Sequence, residues 1–199
     1  MIAILTGDII HSKDHKASKW LPILKQALGT YGPEPLAWEI YRGDSFQLET
    51  TPERALEAAI YIKACLKQIR HLDVRIAIGL GEKDHQAEKI TESNGTAFYH
   101  SGERFETLKK QTLALKSGHE DFDETINLML QLATLTMDNW LPATAKIVCA
   151  ALEHPKANQK EIASLLDKSQ STISEGLIRA GFDEVQKMIH FYSTQLTRL

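Results

Sequence analysis

Two aspartates are the residues of this chain best placed for chemistry. Asp8 stands at the carboxyl end of an apolar run, in the segment LTGDII, and Asp44 lies between two strand-like runs, in YRGDSF. Carboxylates at strand ends that a sheet brings together can bind a hard cation such as Mg2+. The alternatives are structural: Asp8 accepts backbone hydrogen bonds at the end of its strand, Asp44 stabilises a turn, or Arg42 pairs with either carboxylate.

The spacing of apolar residues predicts the elements that must position these aspartates. Residues 1–10 form a nearly continuous apolar run, which predicts a central strand buried on both faces. Residues 38–49 predict a hairpin, because Gly43 accepts the positive φ of a tight turn. Helical spacing is found in 20–28, 52–69 and 96–110, and strand-like patterns in 74–80 and 113–115.

This order, β-α-β-β-α-β-α-β, predicts an α+β fold with a split, ferredoxin-like sheet. It differs from the alternation of a Rossmann sheet, and neither GxGxxG nor GxxxxGK[ST] is present. Beyond residue 118 every pattern is helical. We therefore predict a sheet domain over residues 1–118, a helical connector over 119–140, and an all-α domain over 141–199.

The segment NQKEIASLLDKSQSTISEGLIRA, residues 158–180, predicts a helix-turn-helix. Ile162, Ala163, Leu165 and Leu166 mark the inner face of a first helix, and Ser169 caps a second whose inner residues are Ile173 and Leu177. Short polar side chains at the start of the second helix could reach base edges, with basic residues on phosphates. The candidate DNA-binding residues are Lys168, Ser169, Gln170, Ser171, Thr172, Ser174 and Arg179. The alternative is a helical hairpin that packs against a partner protein or against the first domain.

Composition is that of a folded protein, with 43% hydrophobic and 25% charged residues, and it gives no electrostatic argument for nucleic acid. The net charge is −3, although residues 145–199 carry seven basic against six acidic residues, a net of +1. Cys65 and Cys149 lie in apolar helical patterns without CxxC spacing, which predicts buried free thiols in a reducing compartment. We find no signal peptide and no membrane-spanning run, and expect a cytoplasmic protein.

The order of motifs in the first half resembles the class III nucleotide cyclases, which are related to diguanylate cyclases and palm polymerases. The matching segments are the strand ending at Asp8, the hairpin Gly43-Asp44, the strand RIAIG, and the helix opened by GTAF with Arg104. The resemblance implies that Asp8 and Asp44 bind Mg2+, with the Ile9 carbonyl as a third ligand. It also implies that Gly43, His100 and Arg104 contact the nucleotide and that Arg104 stabilises the transition state. His100 stands where cyclases have Asn, and Ile40 where they read the base.

Taken together, the segments TGDII, YRGDSFQ, RIAIG and SQSTIS resemble the SatD family of bacterial proteins along nearly the whole chain. We expect a regulator that binds DNA through its tail, acts as a homodimer, and binds a nucleotide with Mg2+ in its cyclase-like domain. One alternative is an active nucleotidyl cyclase that uses two carboxylate-bound metals. The other is a protein-interaction module in which both sites are vestigial.

Overall fold

The computed structural model describes all 199 residues and contains a five-stranded mixed sheet and eight α-helices. The strands are β1 (Ile2–Ile10), β2 (Trp38–Tyr41), β3 (Ser45–Thr50), β4 (Asp73–Gly81) and β5 (Leu113–Lys116). The helices are α1 (Ala17–Gly29), α2 (Pro52–Leu66), α3 (Thr96–Glu106), α4 (Glu120–Met137), α5 (Pro142–Glu153), α6 (Gln159–Leu166), α7 (Gln170–Ala180) and α8 (Phe182–Leu196). The predicted α+β class and the order of the elements are confirmed.

The sheet has the strand order β2-β3-β1-β4-β5, so β1 is its central strand, as its continuous apolar run predicted. Neighbouring strands are antiparallel except for β4 and β5, which are parallel. Asp8 lies opposite Ser45 on one side and Arg75 on the other. Because paired residues share a face of a sheet, these three side chains lie on the same face.

Alternation along β1 assigns the helices to the two faces of the sheet. Ala3, Leu5 and Ile9 lie in the main core with residues of α1 and α2, whereas Ile4 packs against α3. Helix α3 approaches closely, since a Cβ added at Gly79 would lie 2.2 Å from the Ala97 carbonyl oxygen. Asp8 therefore belongs to the face that α3 partly covers.

The hairpin between β2 and β3 is linked by Arg42, Gly43 and Asp44, one residue more than the tightest turns use. Arg42 has φ 52° and Gly43 has φ 93°, so two consecutive residues adopt left-handed conformations. The positive φ that the sequence predicted for Gly43 is confirmed, while its neighbour Arg42 adopts one without being a glycine.

The helical tail packs on the outer side of α2 and shares its core. One cluster of 40 buried residues includes Leu5 of the sheet together with Val185, Met188 and Tyr192 of α8. The Tyr192 hydroxyl donates a hydrogen bond to the Pro52 carbonyl at 2.7 Å. The tail is thus continuous with the sheet half in packing, and the boundaries at 118 and 140 remain predictions.

A buried charge network also joins the two halves. The ammonium group of Lys63, which has no exposed surface, lies 2.7 Å from Asp73 and 2.7 Å from Asp138. Lys67 contacts Asp73 at 3.0 Å and the Asp138 carbonyl at 2.6 Å. The network connects α2, β4 and the end of α4. None of the eight helices is both long enough and apolar enough to cross a membrane.

Candidate functional site

The carboxylate of Asp8 is held by Arg75. The Arg75 Nε lies 2.9 Å from Oδ1 and its Nη2 lies 2.5 Å from Oδ2, which is a bidentate geometry. The pair is partly exposed, with side-chain exposures of 34% for Arg75 and 23% for Asp8. The sequence predicted a possible ion pair at this carboxylate but named Arg42 as the partner.

The surroundings of this ion pair are partly apolar. The Arg75 guanidinium lies 5.5 Å from the centre of the Phe105 ring on α3. Hydrogen bonding to Asp8 raises the pKa of Arg75, which keeps the guanidinium charged. Burial raises the pKa of Tyr41. The positive charge of Arg42 opposes this effect, and the negative charge of Asp8 adds to it. The end of β1 therefore carries a carboxylate paired with Arg75, and the Tyr41 phenol is close enough to feel the charges of both Asp8 and Arg42.

The second aspartate, Asp44, contacts the segment that follows β1. Its Oδ2 accepts a hydrogen bond from the Ser12 hydroxyl at 2.6 Å, and its carbonyl accepts one from the Ile9 N–H at 3.1 Å. Ser12 begins a short 3-10 turn, Ser12–Asp14. The hairpin turn and the start of the β1–α1 connection are thereby fixed to each other beside Asp8.

The two aspartates fit Mg2+ in ligand type. Mg2+ is usually held by one or two carboxylates, with water and substrate phosphates completing the octahedron. No group of three or more His, Cys, Asp or Glu side chains that could hold a metal includes Asp8 or Asp44. A metal here would therefore use two carboxylates at most, and it would share Asp8 with Arg75.

A third polar group lies on the same face of the sheet. Gln47 is paired with Thr6 of β1, and its Oε1 is buried without a hydrogen-bond partner. The Thr6 and Ser101 hydroxyls, 3.0 Å apart, join β1 to α3 next to it. A buried acceptor without a donor is costly, because the group has lost its hydration without compensation. Gln47 is thus an acceptor to which a ligand could donate.

His100 lies at the other end of β4 from Asp8. Its Nδ1 is 2.7 Å from the Leu80 carbonyl, and its ring faces Gly118. Leu80 follows Arg75 by five residues on β4, which corresponds to roughly 17 Å along a strand. The structure therefore does not bring His100 to the two aspartates within one copy of the chain.

Arg104 lies on the β5 side of β4, whereas Asp8 lies on β1. Its Nη2 is 3.2 Å from the Gln111 amide oxygen and 3.4 Å from that of Asn127, and its Nε is buried without a partner. Strands are spaced by about 4.8 Å, so β5 and β1 are roughly 10 Å apart. The predicted nucleotide contacts of Arg104 and His100 would require a rearrangement or a second copy of the chain.

Gly43, the remaining predicted nucleotide contact, is open to solvent. A Cβ added there would have no atom within 4 Å. Sequence reasoning missed Arg75, Ser12 and Gln47. Arg75 could have been found, because a charged residue that alternates with Ala77 and Gly79 in an otherwise apolar strand requires a partner on its own face.

The turn between α6 and α7 adopts the geometry that a short helix-helix connection needs. Asp167 has φ 52° and ψ 54°, a left-handed conformation usually taken by glycine. The Lys168 N–H donates to the Ala163 carbonyl at 2.9 Å, which closes the end of α6. The start of α6 has a complete capping box between Asn158 and Glu161. Asp167 therefore adopts the conformation that a glycine would usually provide at such a turn. The predicted inner face of α6 is wrong at Leu165, which is 57% exposed because it lies on the side of the helix away from its packing partners.

Helix α7 buries its apolar face and exposes its first turn. Ile173 is fully buried, and a Cβ added at Gly176 would lie 2.4 Å from the Ile147 side chain of α5. Ser169 caps the helix, because its hydroxyl accepts a hydrogen bond from the Thr172 N–H at 3.2 Å. The other candidate DNA-binding residues are exposed or half-buried: Lys168, Gln170, Ser171, Thr172, Ser174 and Arg179.

Charge on this surface is balanced. Arg179 lies 3.9 Å from Glu175, one turn earlier on α7, and both side chains are more than half exposed. Ser169 also contacts the hydroxyls of Ser171 and Thr172 at 2.8 Å each, so three hydroxyls cluster at the start of the helix. The surface is suited to hydrogen bonding more than to strong attraction of phosphates.

Comparisons with known proteins found no match to this chain among family models, curated proteins or solved structures. The resemblances to the SatD family and to nucleotide cyclases therefore stay predictions from sequence motifs.

Proposed function

We propose that this protein is a DNA-binding regulator, SatD-like, whose ferredoxin-like and cyclase-like sheet half binds a nucleotide with Mg2+. The DNA-binding part of this proposal rests on the exposure of the first turn of α7. Gln170 and Ser171 are exposed there, while Ile173 and Gly176 fix the helix against α5. A helix-turn-helix presents the start of its second helix to base edges in the major groove.

The experiment is selection of a duplex from a randomised pool with the purified protein, followed by fluorescence anisotropy on the selected site. Gln170→Ala and Ser171→Ala should each reduce discrimination against a mismatched base pair, because each good base contact contributes about 1–3 kcal/mol. Gln186→Ala on α8, which is also exposed, is the matched control and should leave binding unchanged. Failure to enrich any duplex, at low salt as well as near physiological salt, would refute DNA binding.

Nucleotide binding is supported by the polar groups gathered on one face of the sheet. Asp8 and Asp44 offer carboxylates for Mg2+, Arg75 offers a cation for phosphates, and Gln47 offers an acceptor without a donor. We propose that Arg75 turns from Asp8 toward the phosphates when a nucleotide binds, which frees Asp8 for the metal. Mg2+ would supply charge neutralisation for the phosphate oxygens.

Turnover is the less favoured alternative. A cyclase-like reaction needs a cation at the transferring phosphate in addition to the metal site. Arg104 and His100 lie apart from the two aspartates in one copy of the chain, which favours binding over catalysis. An active enzyme would have to assemble its site from two copies, and product formation from nucleoside triphosphates would reveal it.

Homodimerisation and a cytoplasmic location belong to the same proposal. A two-fold protein matches paired DNA half-sites, and a DNA regulator must be in the compartment that holds the DNA. Helix α4 exposes an apolar stripe, with Leu128 at 58%, Leu132 at 60% and Leu135 at 71%, which would suit a second copy of the chain. Leu132→Lys should then lower the mass measured by sedimentation equilibrium, whereas Gln131→Lys beside it should not.

A further inference from the structure

We propose that Cys65, Cys149 and Glu153 form a binding site for a thiophilic divalent metal ion of the zinc class. Cys65 lies on α2, and the other two residues lie one turn apart on α5. The two Sγ atoms are 3.0 Å apart, and the Cys149 Sγ is 3.6 Å from a carboxylate oxygen of Glu153. One ligand atom from each residue lies within 4.8 Å of the others.

The donor set is that of zinc and distinguishes this site from the Asp8 region. Zinc accepts thiolate, imidazole and carboxylate ligands, whereas two sulfur donors do not suit Mg2+. Zn–S bonds of about 2.3 Å at a tetrahedral angle place two sulfurs roughly 3.8 Å apart. Binding would therefore increase the distance between the two Sγ atoms by less than about 1 Å.

A neighbouring group orients the carboxylate. The Tyr61 hydroxyl donates a hydrogen bond to the Glu153 Oε1 at 2.7 Å. Tyr61 is itself held by an edge-on contact with Tyr31, whose ring centre is 6.4 Å away. Outer partners of this kind fix the direction of a metal ligand and strengthen binding. The arrangement supplies three protein ligands and one supporting hydrogen bond.

An adjoining cavity provides both access and a fourth ligand position. It has a volume of about 220 Å³ and is lined by the two cysteines, Tyr61 and Glu153, together with Gln26, Gln68 and Lys146. The two cysteines are only 4% and 5% exposed, whereas Glu153 reaches the surface. A metal ion could enter from the Glu153 side and keep water as its fourth ligand.

Metal binding at this site changes no oxidation state and needs no oxidant or reductant. The metal ion binds two thiolates and one carboxylate, and the two thiol protons leave to solvent. Because the ligands come from α2 and α5, the bound ion would connect the sheet half directly to the helix that supports α7. This inference does not depend on DNA or nucleotide binding.

The test is a titration of the full-length, reduced and metal-free protein with Co2+, a spectroscopic substitute for Zn2+. We expect a saturable sulfur-to-cobalt charge-transfer band that Zn2+ abolishes, together with a higher unfolding temperature when Zn2+ is bound. Cys65→Ser and Cys149→Ser should each lose the band. Tyr61→Phe should bind roughly 10- to 100-fold more weakly, as expected for loss of a supporting hydrogen bond.

Glu184→Gln on α8, an exposed carboxylate far along the chain, is the matched control and should behave as the unsubstituted protein. Far-ultraviolet circular dichroism of each variant separates loss of metal binding from loss of fold. The proposal is overturned if the folded, reduced protein gives no charge-transfer band. It is also overturned if either single cysteine variant retains the band, or if the cysteines are found joined as a disulfide and the reduced form binds no Co2+.

Discussion

Arg75 donates to both carboxylate oxygens of Asp8, at 2.9 and 2.5 Å, across the central pair of strands of the sheet. The same carboxylate is the first ligand that the cyclase resemblance assigns to Mg2+. Arginine and metal therefore compete for Asp8, and any ligand that draws Arg75 away makes the carboxylate available. This competition can be measured directly.

Replacing Arg75 with alanine should lower the free energy of unfolding by about 1–2 kcal/mol, a value reduced by the partial exposure of the pair. Millimolar Mg2+ should restore part of that loss, because the uncompensated Asp8 becomes a better metal ligand. Urea unfolding with and without Mg2+ measures both effects. In the double variant Arg75→Ala/Asp8→Asn the Mg2+ effect should vanish, and its persistence there would contradict the assignment of Asp8.

A nucleoside triphosphate with Mg2+ should raise the unfolding temperature of the protein. At a hundredfold excess over Kd the stabilisation is about 2.7 kcal/mol. Asp44→Asn should remove the shift, whereas Asp14→Asn, a nearby exposed aspartate that contacts His11, should keep it. The absence of a shift with every nucleotide tested would remove the nucleotide-binding part of the proposed function.

Lys63→Met should be among the most destabilising substitutions in the chain. Its ammonium group is fully buried between Asp73 and Asp138, so its removal leaves the Asp138 carboxylate without a cation and leaves Asp73 with Lys67 alone. Breaking a buried pair in this way costs about 3–5 kcal/mol. Lys25→Met, which removes an exposed pair with Glu34, should change the free energy of unfolding by less than about 1 kcal/mol. Similar losses in the two variants would show that the buried network does not stabilise the fold.

Alkaline pH should destabilise the protein through its buried tyrosines. Burial raises the pKa of Tyr192 and of Tyr31, so the folded state keeps protons that the unfolded chain loses above pH ~10. Stability is therefore fully present below pH ~10 and falls as pH rises, by about 1.4 kcal/mol per pH unit for each such tyrosine.

Tyr192→Phe separates this effect from others. At neutral pH its free energy of unfolding should be lower by about 1 kcal/mol, because the hydrogen bond to the Pro52 carbonyl is lost. Above pH ~10 its free energy of unfolding should fall less steeply than that of the unsubstituted protein. Tyr99→Phe, which removes a tyrosine whose side chain is 68% exposed, is the control. An unchanged slope in Tyr192→Phe would show that Tyr192 does not titrate on unfolding.

Local patterns predicted most of the fold because they are set by neighbouring residues. The strand Ile2–Ile10 and the hairpin strands Trp38–Tyr41 and Ser45–Thr50 end within one residue of the predicted limits 1–10 and 38–49. Helix α3 ends at Glu106, before the predicted residue 110. The Thr107 hydroxyl bonds back to the carbonyls of Glu103 and Arg104 there, and Lys109 adopts φ 51°.

The contacts that define the sites could not be predicted from spacing. Arg75 and Asp8 are 67 positions apart, and Cys65 and Cys149 are 84 apart, so only the folded chain shows that they meet. The placement of Arg104 toward Asn127 depends on α4, which the sequence suggested only as a connector. Long-range pairing is determined by packing of the whole chain, and a single sequence carries no direct record of it.

Helix α2 has the sheet that carries Asp8 on one side and α5, the support of α7, on the other. Binding at the sheet and binding at α7 are thermodynamically linked if either one changes the position of α2. Such linkage is reciprocal: a nucleotide that weakens DNA binding tenfold is itself bound tenfold more weakly by the DNA-bound protein. Under the proposed function, the occupancy of each site would then change the affinity of the other without a hinge between them.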